Sequence, residues 1–205
     1  MQEPYAATGV ILAGGRSRRM GRDKLLLKIG DATLLDRVYG ALASCCEEIV
    51  VIRAGGYAPT GARQIPDLRP GEGPLAGIEA GLFAARYRSV FVAAGDMPFL
   101  TGDFVRYLLS LLSDHVSAVV PCFGDGPHPL CAAYGWEVRP AVSAALDRDA
   151  RSVRRLLEDV PRVRYVEERE LWRFGNPNLL LTNINSPGDL ARARAILREG
   201  ASYRG

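Results

Sequence analysis

Two hydrophobic rhythms alternate along this chain. Val10, Ile11 and Leu12 form a short unbroken apolar run, which predicts a buried strand over 10–12. Leu34, Leu35, Val38 and Leu42 then recur at helical spacing, predicting a helix over 34–46 with Thr33 as its cap. The β-branched run after Glu48 predicts a second strand over 48–52. A glycine- and proline-rich connector fills 54–73, followed by a helix over 75–86. Residues 89–94 read as a third buried strand, closed by Gly95, Asp96, Met97 and Pro98. Beyond it the pattern predicts a helix over 104–112, strands over 117–121 and 130–134, helices over 140–146 and 152–158, and a strand over 162–166. Ser186, Pro187 and Gly188 precede a last helix over 189–198.

Apolar strands alternating with amphipathic helices predict an α/β fold, a mostly parallel central sheet with helices on both faces. No repeat, low-complexity tract or long polar linker interrupts the 205 residues, so one domain spanning 1–205 is expected. In such a sheet, ligands bind beyond the carboxyl ends of the strands. Two segments sit there: the loop behind the first strand and Gly95-Asp96 behind the third.

Charge sharpens the first of these. Between Arg16 and Lys24 the chain places Arg16, Arg18, Arg19, Arg22 and Lys24 against one acid, Asp23. That window carries a formal +4 where the whole chain carries +3, so the remainder sums to −1. An excess held in one loop, not spread along a face, argues against nucleic acid and for a small polyanion such as a nucleoside triphosphate. No apolar stretch approaches the roughly 20 residues of a membrane helix, and the MQEPYAATG start has no basic region followed by an apolar core. Neither a membrane partner nor a secretory signal is expected. Cys45, Cys46, Cys122 and Cys131 lack metal-ligand spacing and read as reduced thiols, which points to the cytoplasm.

Residues 12–24 read LAGGRSRRMGRDK. The order of a P-loop is absent, and the glycine spacing is not that of a dinucleotide fold. Gly14 and Gly15 let backbone N–H groups approach an anion, and the cations supply charge-assisted hydrogen bonds. The bland alternative is a solvated basic loop. Asp96 is placed to hold Mg²⁺ on a phosphate, since Mg²⁺ takes one or two carboxylates plus phosphate oxygens and water; otherwise it is a turn-forming aspartate. Asp67 precedes a glycine- and proline-rich bend into a helix and is either a loop acid or a ligand contact. His128, stiffened between Pro127 and Pro129, suits substrate contact or a structural turn; His115 reads as a surface residue at a helix end. Asn183 and Asn185 share one face if extended, while Ser186 and Pro187 also make a helix entry.

Together these stretches resemble the molybdenum cofactor guanylyltransferase family, within the nucleotidyltransferase superfamily. The resemblance rests on residues 12–24, residues 73–77 (GPLAG), Gly95-Asp96-Met97-Pro98, His128-Pro129, and Asn183-Ile184-Asn185-Ser186-Pro187, in the family's order over nearly the whole chain. It implies a Rossmann-like nucleotidyltransferase fold and transfer of GMP from GTP to molybdopterin with release of pyrophosphate. Leu12, Ala13, Gly14 and Gly15 would line the guanine-nucleotide pocket, Lys24 would contact the phosphates, Asp67 the nucleotide, and Asp96 would bind Mg²⁺. His128, Asn183 and Asn185 would face the molybdopterin acceptor. Transient contact with other cofactor-biosynthesis proteins and with molybdoenzymes is also implied. One departure stands out: the region after the second strand is Ile52-Arg53-Ala54, and the family asparagine is missing there, so no nucleotide contact is assigned to it.

Because a phosphate monoester is already largely ionised near neutral pH, the implied reaction needs no strong general base. Positioning and charge neutralisation then carry it, with Arg18, Arg19 and Lys24 balancing charge on the leaving pyrophosphate. The rivals are a cytidylyl- or sugar-phosphate nucleotidyltransferase and a non-catalytic nucleotide-binding regulator. A nicotinamide-dependent oxidoreductase is disfavoured by the glycine spacing.

Overall fold

The computed structural model describes residues 4–14 and 23–202, with side chains to residue 199. In chain order the elements are β1 (Tyr5–Leu12), β2 (Lys28–Ile29), β3 (Ala32–Thr33), α1 (Leu34–Ala43), β4 (Cys46–Ile52), β5 (Arg63–Ile65), α2 (Pro74–Ala84), β6 (Ser89–Ala94) and α3 (Gly102–Ser110). There follow β7 (Ala118–Phe123), β8 (Gly126–Pro127), β9 (Cys131–Gly135), α4 (Arg139–Asp147), α5 (Val153–Asp159), β10 (Val163–Val166), α6 (Glu168–Leu171), α7 (Pro177–Leu180) and α8 (Pro187–Ser202).

The central sheet runs β10-β7-β9-β6-β1-β4-β5, with β8 paired to β7. From β6 through β1 and β4 to β5 every pairing is parallel. Strand β9 alone along this path runs against its neighbours, β6 and β7, and β10 returns parallel to β7. Successive strand residues feed opposite cores, as the two-residue pleat requires. Ile11, Val51, Phe91 and Ala93 pack with Leu35, Val38 and Leu42 of α1 and Phe104 and Leu108 of α3. Val10, Val50, Ile52, Val90 and Val92 pack on the other face with Leu75, Ile78 and Leu82 of α2, and with α4 and α5. A sheet covered on both faces explains why its strands read as continuous apolar runs. Helix α2 lies close against β1 because Gly81 has no side chain: a Cβ there would stand 2.5 Å from Val10 Cγ1.

Several expectations need correction. The helix expected over 34–46 ends at Ala43, and Cys46 opens β4. Its apolar spacing continues through the cysteines, but the Tyr5 N–H takes the Cys45 carbonyl at 2.7 Å, which commits the chain to the sheet. The connector over 54–73 contains edge strand β5, hidden by its polar, part-exposed residues. The β2–β3 hairpin, which packs through Ile29 onto Leu190 and Ala193 of α8, was likewise not signalled. Thr33 does cap α1, reciprocally with Asp36. All four cysteines are free. Among the described residues no helix is long and apolar enough to cross a membrane.

Register then fixes where a ligand can sit. Leu12 pairs with Ile52 on one side and Ala94 on the other, so β1, β4 and β6 end level. The chain reaches β4 through α1 on one face and β6 through α2 on the other. The end of β1 is therefore a topological switch point, where an open α/β sheet leaves a crevice.

Candidate active site

The crevice is stitched by backbone first. The Ala13 N–H donates to the Ile52 carbonyl at 3.1 Å, and the Gly95 N–H to the Leu12 carbonyl at 3.0 Å. The strand end is tight at Gly95, where a Cβ would lie 3.2 Å from both Leu12 O and Leu25 Cδ1. The next residue, Asp96, is the buried acid of the site, 7% exposed.

Two segments converge on Asp96. Lys24 Nζ sits 2.5 Å from Asp96 Oδ2, and Asn183 Nδ2 donates to Asp96 Oδ1 at 3.2 Å. The Ile184 N–H donates to the Asp96 carbonyl at 3.0 Å. Lys24 also reaches the Ile184 carbonyl at 3.2 Å and Asn185 Oδ1 at 3.3 Å. Lys24 is held by a single 3₁₀ turn over Lys24–Leu26, capped by Asp23, whose Oδ1 accepts the Leu25 N–H at 3.1 Å. Leu25 anchors that turn in the core. Lys24, expected at the phosphates, and Asn183 and Asn185, expected at the acceptor, thus meet around Asp96 across a sequence separation of 161.

The amide segment serves two purposes at once. Asp189 accepts the Asn185 N–H at 3.0 Å and the Ser186 N–H at 2.9 Å, and its own N–H donates to Ser186 Oγ at 3.1 Å. The Ser186 hydroxyl, then the Asn185 N–H and Arg192, draw the Asp189 carboxyl down to about 2. Its folded pKa lies below its unfolded value, so this box stabilises the fold above about pH 4. That stabilisation is lost as pH falls from there toward about 2. Asp189→Asn is expected to flatten the acid limb of thermal stability across that window, read from melting curves at stepped pH; an unchanged limb would remove the box from the account.

His128 lies in the turn between β7 and β9. Its N–H donates to the Pro121 carbonyl at 2.8 Å, and its Nε2 meets the Phe123 carbonyl at 3.0 Å. A carbonyl only accepts, so Nε2 carries the proton and neutral His128 presents Nδ1 as an acceptor. A cavity of about 260 Å³ opens here, lined by Met97, His128, Leu130, Ser152, Arg154 and Asn183. Asn183 is therefore shared between this cavity and the Asp96 cluster. Ser152 and Arg154 were not singled out from sequence; Ser152 is the N-cap of α5, accepting the Arg155 N–H at 3.4 Å.

Asp67 follows β5 on the same sheet end, since Ile65 pairs level with Ile52. Its Oδ1 accepts the Arg69 N–H at 3.0 Å, and burial, with Glu72 and Glu79 nearby, holds its carboxyl above the usual range despite that bond. Arg69 in turn clamps the loop to buried Glu79 (3.0 Å) and to Asp147 (2.8 Å). Leu12, Ala13 and Gly14 stand at the β1 exit, Ala13 buried and Gly14 exposed. Gly15, Arg18 and Arg19 lie outside the described residues.

Comparison with known proteins decides the family. Residues 9–165 match the model of the MobA-like NTP transferase domain. A probable molybdenum cofactor guanylyltransferase from Pelotomaculum thermopropionicum is 37% identical over 97% of each chain. The molybdenum cofactor guanylyltransferase of Desulfosudis oleivorans is 34% identical over 95% of this chain and 98% of that protein. The chain belongs to the MobA-like NTP transferase family. Among solved structures, the molybdopterin-guanine dinucleotide biosynthesis protein A of Archaeoglobus fulgidus superposes with a TM-score of 0.79 at 28% identity, covering 94% of this chain and 99% of that one. The crevice at the end of β1 is accordingly the candidate active site of a nucleotidyltransferase of molybdenum cofactor biosynthesis. Transferases of this family typically use a divalent metal.

The donor set fits such an ion only in a particular way. Among the described residues no group of three or more histidine, cysteine, aspartate or glutamate side chains is preassembled for a metal. One buried carboxylate, already balanced by an ammonium, suits an ion that arrives with its own phosphate ligands.

Proposed function

We propose that this protein, acting as one domain over residues 1–205, transfers GMP from GTP to the phosphate of molybdenum-bound molybdopterin and releases pyrophosphate, with Mg²⁺. One observation carries the site: Asp96 stands between Lys24 and Asn183 at the switch point, beside the His128–Asn183 cavity. Its named relatives are guanylyltransferases, which favours guanine and molybdopterin as base and acceptor.

In this reading Leu12, Ala13, Gly14, Gly15 and Asp67 hold the nucleotide, while Lys24, Arg18 and Arg19 face its phosphates. His128, Asn183 and Asn185 orient the acceptor. An acceptor phosphate oxygen attacks the α-phosphorus of GTP, the bond to the β-phosphate oxygen breaks, and pyrophosphate leaves. The acceptor is already ionised, so the residues act by alignment and by neutralising developing charge. Asp96 would hold Mg²⁺, which when bound supplies charge neutralisation on phosphate oxygens.

Calorimetric titration with GTP, CTP, ATP and UTP in the presence of Mg²⁺ tests the base. GTP is expected to bind at least about tenfold more tightly than the others, a difference of roughly 1.4 kcal/mol. Pyrophosphate release on adding molybdopterin tests the reaction. Preference for CTP would assign the cytidylyl reading instead, and binding without release would leave a nucleotide-binding regulator.

A further inference from the structure

Arg53 occupies the first position beyond β4, level with the end of β1. Its side chain is 14% exposed despite its charge. Strand β5 holds its backbone: its N–H donates to the Ile65 carbonyl at 2.7 Å, and its carbonyl accepts from Gln64 Nε2 at 3.3 Å. The guanidinium then bridges two loops. Nη1 donates to the Tyr57 carbonyl at 3.2 Å, and Nη2 is ion-paired with Asp23 Oδ2. Gly56, at φ 85°, folds over the guanidinium where a Cβ would come within 3.3 Å of Nη2. The Tyr57 hydroxyl donates to Asp36 Oδ1 on α1 at 2.6 Å, so the wrapping loop is itself pinned.

Asp23 divides its two oxygens. One takes Arg53; the other caps the turn that carries Lys24. This acid stands directly beside Lys24 and closes a window of five cations. Left unpaired, it would compete with Asp96 for the neighbouring ammonium. Held by Arg53, it leaves Lys24 directed at Asp96.

We propose that Arg53 is a positioning residue for the transfer reaction, placing Lys24 through Asp23. The inference rests on reading Lys24 as a phosphate contact. Arg53 acts through the carboxylate it occupies.

The test compares Arg53→Ala, Arg53→Lys, Asp23→Asn, the Arg53→Ala/Asp23→Asn double variant and Lys24→Ala by pyrophosphate release from GTP with molybdopterin, alongside thermal unfolding. Arg53→Ala is expected to lower kcat roughly 10- to 100-fold, the scale of a misplaced catalytic group, with KM for GTP within about threefold of wild type. The double variant should be no slower than Arg53→Ala alone, because both remove one linkage. Arg53→Lys should recover part of kcat by restoring a charge opposite Asp23. Wild-type kcat per folded Arg53→Ala enzyme, a loss confined to KM, or single effects that multiply in the double variant would each overturn the proposal. Lys24→Ala separates the two levels: if it keeps full turnover, the reading of Lys24 fails; if it is slow while Arg53→Ala is not, only the positioning role falls.

Discussion

Asp96→Asn is expected to cut Mg²⁺-dependent pyrophosphate release by about 10³-fold or more while leaving a folded protein. Asparagine keeps the volume of the side chain and does not touch the main-chain bond from Ile184 to the Asp96 carbonyl. What disappears is the negative charge. Lewis-acid charge stabilisation at a phosphoryl centre is worth several kcal/mol, and about 4 kcal/mol corresponds to three decades in rate. The stability cost should be small, because Lys24, 23% exposed, can turn its ammonium toward water. The measurement is turnover at saturating GTP across a Mg²⁺ series, with melting temperature as the control for folding. Full activity at the wild-type Mg²⁺ concentration would move the metal site away from the end of β6.

The parts of this site that sequence made legible are those where one local device determines the outcome. A strand of buried residues followed by glycine and aspartate at 95 and 96 ends the strand and leaves a carboxylate at its carboxyl end. The β4, β6 and β10 strands, the Thr33 cap and the Ser186 helix entry belong to the same class, each set by spacing or by a side chain bonding its own backbone. Parallel sheet order was legible only as a class of fold. The antiparallel insertion of β9 between β6 and β7 is dictated by pairings between residues far apart in sequence, such as Phe91 with Ala133 and Val119 with Ala133. No periodicity within one strand encodes the direction of its neighbour.

Convergence was the harder quantity. The spacing of Asn183 and Asn185 puts them on one face if extended, yet their contacts differ. One amide donates to Asp96, and the other accepts from Lys24. The distinction arises from Ile184 bonding the Asp96 backbone, a contact that any residue other than proline at 184 would make. Asp67 shows the opposite limit. Its type and loop leave a loop acid and a ligand contact both open, and the clamp that holds the loop, Arg69 to Glu79, depends on a glutamate buried within an otherwise apolar helix. A charged residue in such a helix is the available signal, because burial of an unpaired carboxylate is prohibitive and a partner must exist. Likewise the missing family asparagine over Ile52-Arg53-Ala54 is visible in the sequence, while the pairing of Arg53 with Asp23 requires the fold.

Lys24→Ala is expected to have two effects of opposite sign. Turnover should fall roughly 10²–10³-fold, the scale seen when one preorganised donor to a transition state is removed. At the same time, affinity for a divalent cation in the absence of nucleotide should rise, measurable with Mn²⁺ by paramagnetic resonance. The second effect follows from the geometry without ligand: the ammonium at 2.5 Å neutralises the Asp96 carboxylate. A cation approaching the wild-type protein must displace Lys24, and Asn183 supplies a donor, not a further charge, so the bare site attracts metal weakly. GTP would change that balance by offering phosphates to Lys24, leaving Asp96 to hold the cation. Removing Lys24 would then relieve the competition and lose the proposed phosphate contact together. A variant that lost turnover with unchanged Mn²⁺ affinity would leave Lys24 at the phosphates but deny that it guards Asp96. A variant that tightened Mn²⁺ yet turned over normally would deny the phosphate contact, and with it the reading of the turn over Lys24–Leu26 as catalytic.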